Sequence, residues 1–215
     1  MYWLLIALCS LPLPVGERLV YDAYFGPFRI GTAILEVKGV EEVEGSVCYT
    51  LYSTQGTVGF WKGVFYMESE VYSWVDTASL ATIKMIRNVR EKRAVRTDTL
   101  VVRYTEEKCG VDSSKQNFYV VYSREPAHGS LGLLYWIRFS PLRPCTVMTV
   151  SKYGLGYVAL EVKECGDDTV IVPRAVRDTH AKGVFEIWFG EDKMPRTLVG
   201  KMGFGTLRLM LREAE

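Results

Sequence analysis

The residues best suited to chemistry in this chain are two histidines, His128 and His180, and five cysteines. A hydrolytic triad needs a histidine beside a nucleophilic serine or cysteine and an orienting carboxylate. Neither histidine accompanies a nucleophile motif, and the two lie far apart in the sequence. This pattern is typical of surface or capping residues. We therefore assign no catalytic residue, and a hydrolase-type enzyme is kept only as a minor alternative.

Metal and cofactor sites also lack a sequence signature. A zinc site needs three or four converging ligands, and the chain contains no H-x-x-x-H or H-E-x-x-H pair. The spaced glycines of GKMGFG at 200–205 lack the strand-to-helix context of a phosphate loop and predict a wide turn or bulge. We expect no metal site and no cofactor.

Removal of an amino-terminal export segment that contains Cys9 would leave four cysteines, Cys48, Cys109, Cys145 and Cys165. Their wide spacing excludes a C-x-x-C pair, which local metal chelation or thiol exchange would require. An even number of cysteines in an exported protein favours structural disulfides, with three connectivities open. The alternative is four thiols that pack as small hydrophobic side chains.

The charge balance argues against a nucleic-acid partner. The chain has 26 basic and 25 acidic residues, so it presents no strong overall field to nucleic acid or to an anionic membrane. One local basic cluster comprises Arg87, Arg90, Lys92, Arg93 and Arg96. It predicts a solvated hairpin tip, with contact to a phosphate or a lipid headgroup as the alternative.

The first 15 residues, MYWLLIALCSLPLPV, form an apolar stretch that is too short to span a bilayer. They predict an export signal over 1–15, followed by a single β-rich domain over 16–215. Lipid attachment at Cys9 is the alternative to simple cleavage. We expect a periplasmic or otherwise exported protein with peripheral association to the envelope, for instance at the outer membrane.

The segment Gly16–Lys38 predicts a β-hairpin that turns at Gly26 and Pro27. Leu19, Tyr21, Ala23 and Phe25 share one face of the first arm, and Ala33, Leu35 and Val37 share one face of the second. This is the two-residue period of half-buried antiparallel strands. Similar runs continue along the chain between turn residues, which indicates about eleven strands. Because accumulated twist disfavours a wide flat sheet, we expect a mostly β fold: one large curved antiparallel sheet or a partly closed β-barrel.

The segment Ser130–Phe139, SLGLLYWIRF, predicts a helix that starts at a serine cap and stops before Pro141. Apolar residues cover nearly its whole circumference, so the helix must be buried or face a membrane. Ten residues rise only about 15 Å, roughly half of a bilayer core. We therefore expect the helix on the concave side of the sheet.

Arg138 is the single charge within this apolar helix and needs a partner if it is buried. The two interpretations are an ion pair that holds the helix to the sheet and recognition of an acidic headgroup. The predicted ligand-binding residues, in the helix and among the aromatic side chains, are Leu131, Leu134, Tyr135, Arg138, Trp61, Phe65 and Trp74.

These features favour a non-enzymatic envelope protein that binds a lipid, an acyl chain or a lipidated partner in an apolar concavity. The alternative is a structural or protein-interaction module with a filled core and no ligand. The sequence does not indicate an oligomeric state.

Three motifs resemble those of a known family. They are GERLVYDAYFGPFRIGTAILEV near the amino terminus, LLYWIRFSPL at Leu133–Leu142 and EIWFGEDKMPRTLVG at Glu186–Gly200. Together they resemble domain of unknown function 3108, a family of bacterial envelope proteins. The resemblance implies an exported domain with a curved sheet, similar in broad shape to periplasmic lipoprotein carriers. The family often has an aspartate just before the helix, where this chain has Gly129.

Overall fold

The computed structural model describes residues 13–177, 184–202 and 205–215. The described residues form fourteen strands and two helices. The first strands are β1 (Arg18–Phe25), β2 (Phe28–Val43), β3 (Ser46–Thr57), β4 (Met67–Asp76), β5 (Thr82–Glu91), β6 (Ala94–Tyr104), β7 (Gly110–Lys115) and β8 (Phe118–Ser123). The later strands are β9 (Cys145–Ser151), β10 (Gly154–Cys165), β11 (Asp168–Arg177), β12 (Val184–Phe189), β13 (Pro195–Met202) and β14 (Gly205–Ala214). The helices are α1 (Trp61–Val64) and α2 (Ser130–Phe139).

The fourteen strands form one sheet in the order β7-β8-β6-β5-β4-β3-β2-β1-β14-β13-β12-β11-β10-β9. The chain runs outward from β1 in one direction, crosses over through α2 to the opposite edge, and returns to place β14 beside β1. Neighbouring strands are antiparallel apart from β6 and β8, which pair in parallel. The crossover between the two edges of the sheet thus contains the apolar helix.

The two ends of the sheet overlap face to face. On β6 and β8, Leu100, Val102 and Val121 form a buried cluster with Val150 of β9 and with Ala127. Val147 lies three residues before Val150 and so on the opposite face of β9, where it belongs to the main core around α2. Strand β9 is therefore packed on both faces. The sheet is a roll whose ends overlap, with fourteen strands joined in an open hydrogen-bonded order.

An ion pair joins the overlapped ends. Lys152, in the turn between β9 and β10, lies 3.1 Å from a carboxylate oxygen of the buried Asp98 on β6. Arg96 Nε approaches the same carboxylate at 3.3 Å. Two cations thus neutralise an acid that the overlap has removed from water.

Helix α2 lies on the concave side of the sheet, as its sequence predicts. Leu131, Leu134, Tyr135 and Ile137 are buried in the main core cluster. That cluster contacts strands from both halves of the sheet, including Leu19, Val37, Leu51, Val75, Leu160, Ile171 and Phe189. The helix thus fills the end of the roll that is remote from the β1–β2 turn.

The expected export segment, residues 1–15, lies mostly outside the described residues. Leu13 is described and is buried in the main core. Within the described ranges, neither helix has the length and apolar character needed to cross a membrane.

The predicted hairpin of β1 and β2 is confirmed, with Phe25 opposite Phe28 across the turn. The predicted number of about eleven strands is too low. Strand β7 has the polar sequence GVDSSK, which predicts a turn, and β13 begins at Pro195 and contains Gly200. Backbone pairing with β8, β12 and β14 forms these strands, and this long-range pairing overrides local preference.

The bounds of α2 match the predicted segment Ser130–Phe139, but the expected serine cap is wrong. Gly129 is the N-cap, Ser130 is the first helical residue, and no side chain caps the helix. The Gly129 N–H instead donates to Thr82 Oγ1 at 2.8 Å. A Cβ at this position would lie only 3.1 Å from that oxygen, so the close approach to β5 favours glycine.

The expected disulfides are absent: Cys48, Cys109, Cys145 and Cys165 are all free thiols in the described part of the chain. Cys145 lies opposite Leu160 on β10, whereas Cys165 ends that strand five residues further along. Five residues of strand span about 16 Å, and a disulfide needs Cα atoms about 4.4–6.8 Å apart. Cys48 is buried on β3 in the other half of the sheet.

Candidate binding site at the end of the internal helix

A cleft of about 430 Å³ opens at the carboxyl end of α2. We call it the α2 cleft. It lies between the helix, the segment that follows it, strand β9 and the segment before α2. Its lining consists of Glu125, Pro126, Trp136, Ser140, Pro141, Arg143, Cys145, Thr146, Val147 and Met148.

The α2 cleft has an apolar wall and charged groups at its mouth. Trp136, Val147 and Met148 are buried or half-buried along the wall, whereas Arg143 and Glu125 are exposed. Beneath it lies a void of about 10 Å³ between Ile137, Leu160 and Ile171. That space is no larger than one water molecule needs, so the core closes directly below the cleft.

The cleft also borders the outer edge of β9. His128 covers part of this edge: its N–H donates to Met148 O, and Val150 N–H donates to His128 O, both at 3.0 Å. Within the described residues, no such backbone bond covers the edge at exposed Thr146. Unpaired strand edges can accept an added extended chain.

The predicted ligand residues Leu131, Leu134 and Tyr135 do not line this cleft, because they pack within the main core. The Tyr135 hydroxyl has no hydrogen-bond partner among the described residues. Burial, followed by the nearby Glu17 carboxylate, raises the pKa of Tyr135 far above its usual value, so the phenol stays neutral.

Arg138 forms a buried bidentate ion pair with Glu17, the residue that precedes β1. Arg138 Nη1 lies 2.5 Å from Glu17 Oε2, and Nη2 lies 2.7 Å from Glu17 Oε1. Met194 Sδ accepts a further contact from Nη2 at 2.8 Å, and the guanidinium lies 4.9 Å from the Phe139 ring centre. Of the two interpretations of Arg138, the geometry matches the ion pair between helix and sheet.

The remaining predicted residues lie elsewhere. Trp61 and Phe65 are in contact at the strand ends remote from α2, with ring centres 6.0 Å apart. Trp74 lies on β4, where its Nε1 donates to Glu41 Oε1 at 2.7 Å. Hydrogen bonds from Thr50 and Trp74 lower the pKa of Glu41. The predicted set is thus divided among the core, one end of the roll and the face of β4.

Sequence reasoning did not select Arg143 or Met148 as ligand-binding residues. The available signal was the segment Ser140–Pro144, SPLRP, whose two prolines prevent the helix from continuing. Such a segment leaves the helix end uncovered, and the return of β9 beside it creates the cleft.

His128 is buried beside the cleft and His180 lies outside the described residues. The Nδ1 of His128 lies 3.0 Å from Leu80 O, and its ring centre lies 5.4 Å from that of Trp136. Burial lowers the pKa of His128, which the hydrogen bond to Leu80 only partly opposes. Among the described residues, no group of three or more His, Cys, Asp or Glu side chains could hold a metal ion.

We expect His128 to make the protein less stable as the pH falls below its ordinary pKa of 6.5. In this pH range His128 binds a proton in the unfolded state but not in the folded state, so protonation favours unfolding. Urea unfolding at pH 7.5 and 5.5 measures the effect. The pH dependence should be smaller in His128→Gln than in the wild type. An equal loss of stability between pH 7.5 and 5.5 in the wild type and in His128→Gln would contradict this role of His128.

Comparisons with known proteins give a family and a fold. The model of a family described as a protein of unknown function (DUF3108) matches residues 20–212. Among solved structures, the chain is similar to a β-barrel-like protein of domain of unknown function DUF1849 from Brucella abortus. That match has a TM-score of 0.58 and 8% identity, and it covers 94% of this chain and 97% of the other. No curated protein matches. Because the family model covers nearly all of the described sheet, this chain belongs to the DUF3108 family.

Proposed function

We propose that this protein is a non-enzymatic, exported protein of the cell envelope that binds an acyl chain or a lipidated partner in the α2 cleft. The observation that carries the proposal is the cleft itself, which has an apolar wall and, at its mouth, the cation Arg143 beside the acid Glu125. Its volume lies within the range of about 300–1,000 Å³ that is typical of ligand sites.

The size of the cleft suits a hydrocarbon chain. Each buried methylene contributes about 0.8 kcal/mol, so ten of them give about 8 kcal/mol before binding costs, roughly the free energy of micromolar affinity. Trp136 and Met148 offer the broad, deformable contact surface that such a chain needs. Arg143 would hold a carboxylate or phosphate at the mouth.

Export is supported by the apolar stretch over residues 1–15, which has the length of a signal segment rather than of a membrane span. A periplasmic or outer-membrane-associated location brings the cleft close to lipids and lipidated proteins.

The cleft has a built-in reporter, because Cys145 lines it while Cys109 and Cys165 are exposed elsewhere. We expect palmitate to slow the alkylation of Cys145 by N-ethylmaleimide at least fivefold and to leave Cys109 and Cys165 unaffected. Mass spectrometry of the peptides measures the rates. Cys48 provides an internal reference for an inert thiol, since burial raises its pKa to about 11.

Two tryptophan variants complete this test. Trp136→Ala should abolish the protection of Cys145, whereas Trp74→Ala, on β4 away from the cleft, should preserve it. Equal protection in both variants would contradict the proposal, as would a wild-type protein that palmitate does not protect. Lipid extraction and mass spectrometry of protein produced with its signal would identify the natural occupant.

The alternative is a protein-interaction module, which the uncovered edge of β9 at Thr146 favours. An extended segment of a partner would add a strand there. A Thr146→Pro variant would block strand addition, because proline has no N–H to donate. Loss of partner capture with unchanged protection of Cys145 by palmitate would support this alternative.

A further inference from the structure

A cluster of exposed aromatic and aliphatic side chains occupies one end of the roll. Its exposed members are Phe28, after the β1–β2 turn, and Phe60, Val64 and Phe65 of the β3–β4 connection, and they surround the half-buried Trp61. We call this cluster the aromatic rim. Phe60 is 80% exposed, Phe28 is 57% exposed, and no residue of α1 is buried. Burial of these side chains within the protein therefore does not explain them.

The rim is an organised surface rather than a scatter of single residues. The Trp61 ring centre lies 5.8 Å from that of Phe28, 5.9 Å from that of Phe60 and 6.0 Å from that of Phe65. Trp61 thus holds together three rings, one from the start of β2 and two from the β3–β4 connection. Contiguous exposed apolar patches of this kind mark interaction sites.

Basic residues adjoin the rim. The Lys92 ammonium, at the tip of the β5–β6 hairpin, donates to Gly63 O at 3.1 Å and so ties the hairpin to α1. Between α1 and this hairpin lies an open depression of about 540 Å³, whose lining includes Lys62, Arg90, Lys92 and Arg93 together with Glu91.

Most of these cations remain available to a ligand. Across the described part of the chain, Lys62, Lys92 and Arg93 form no ion pair, and Arg90 lies 3.9 Å from Glu68, at the limit of such a contact. The depression is therefore lined by four cations and by Glu91, and one of these cations, Arg90, is also engaged by Glu68 and Tyr66. It is suited to an anionic group such as a phosphate.

We propose that this end of the roll docks onto the surface of an anionic phospholipid bilayer. Aromatic side chains on a rim enter the interfacial layer, where tryptophan is enriched in membrane proteins, and the adjacent cations meet the phosphates. The charge of the depression complements that of the headgroups, and this selects a bilayer over a neutral apolar partner. The site lies away from the α2 cleft, so the inference stands independently of the proposed ligand.

Vesicle flotation with the full chain tests the proposal. The probes are vesicles of phosphatidylcholine alone and vesicles with 30% phosphatidylglycerol. We expect at least tenfold tighter binding to the anionic vesicles and a loss of this preference at high salt, because salt screens exposed charges. The fluorescence of Trp61 should shift to the blue on binding, and this shift should be missing in Trp61→Ser.

Matched variants separate the two contributions. Phe60→Ser combined with Trp61→Ser should weaken binding to anionic vesicles at least tenfold, and Lys62→Glu combined with Lys92→Glu should remove the anionic preference. Val40→Ser and Arg103→Glu, which change exposed residues toward the strand ends remote from the rim, should bind as the wild type does. Absence of binding to anionic vesicles would overturn the proposal and leave a protein as the occupant of the rim. Equal binding by rim and control variants would overturn it as well.

Discussion

Replacing Arg138 with methionine is expected to lower the free energy of unfolding by about 3–5 kcal/mol. The guanidinium and the Glu17 carboxylate are both buried and pair through two hydrogen bonds. Removing the cation leaves the buried carboxylate without a compensating charge. Urea denaturation followed by far-UV circular dichroism measures the loss.

A surface pair provides the control for Arg138→Met. Arg212 approaches Asp22 at 3.3 Å, but its side chain is half exposed, so Arg212→Met should cost at most about 1 kcal/mol. The combined variant Glu17→Leu with Arg138→Leu should be more stable than Arg138→Met, because it removes both charges together. Equal losses for Arg138→Met and Arg212→Met would show that the buried pair contributes no more than a surface one.

Replacing Ile137 with alanine is expected to cost about 2–5 kcal/mol of stability. Ile137 is 2% exposed and belongs to the main core, so its shortening leaves a cavity between α2 and the strands. That cavity would extend the small void beneath the α2 cleft, which Ile137 lines. The unfolding midpoint in urea measures the cost.

Leu133 on the same helix is the matched control, since it is only partly buried. Leu133→Ala should cost clearly less than Ile137→Ala. Similar costs at the two positions would contradict the placement of Ile137 on the side of α2 that faces the sheet. Near-UV circular dichroism verifies that both variants keep a packed core.

The hairpin and the internal helix could be predicted from the sequence because their signals are local. Leu19, Tyr21 and Ala23 recur at every second position of β1, and all three are buried in the structure. Helix α2 carries too many apolar residues for any position other than an interior one, and its bounds matched the prediction. The large number of predicted strands indicated one large curved sheet or a partly closed barrel.

The pairings between distant segments could not be predicted from the sequence. The polar strand β7 forms because β8 supplies backbone partners, and Asp98 meets Lys152 only because the ends of the sheet overlap. The binding site shares this limitation. Trp136 and Met148 lie on a helix and on the strand that follows it, and only the crossover through the roll brings them to one wall.

The pairing of the first strand with the last has a consequence for the biosynthesis of this protein. Arg18 and Glu215 exchange two backbone hydrogen bonds across a separation of 197 residues, in the middle of the sheet. The halves of the sheet can join only after β14 has been synthesised, and such high contact order slows folding. Until then, the apolar helix α2 and the unpaired edges of the two halves are exposed and prone to aggregation. We therefore expect a chaperone that binds unfolded chains to raise the yield of folded protein.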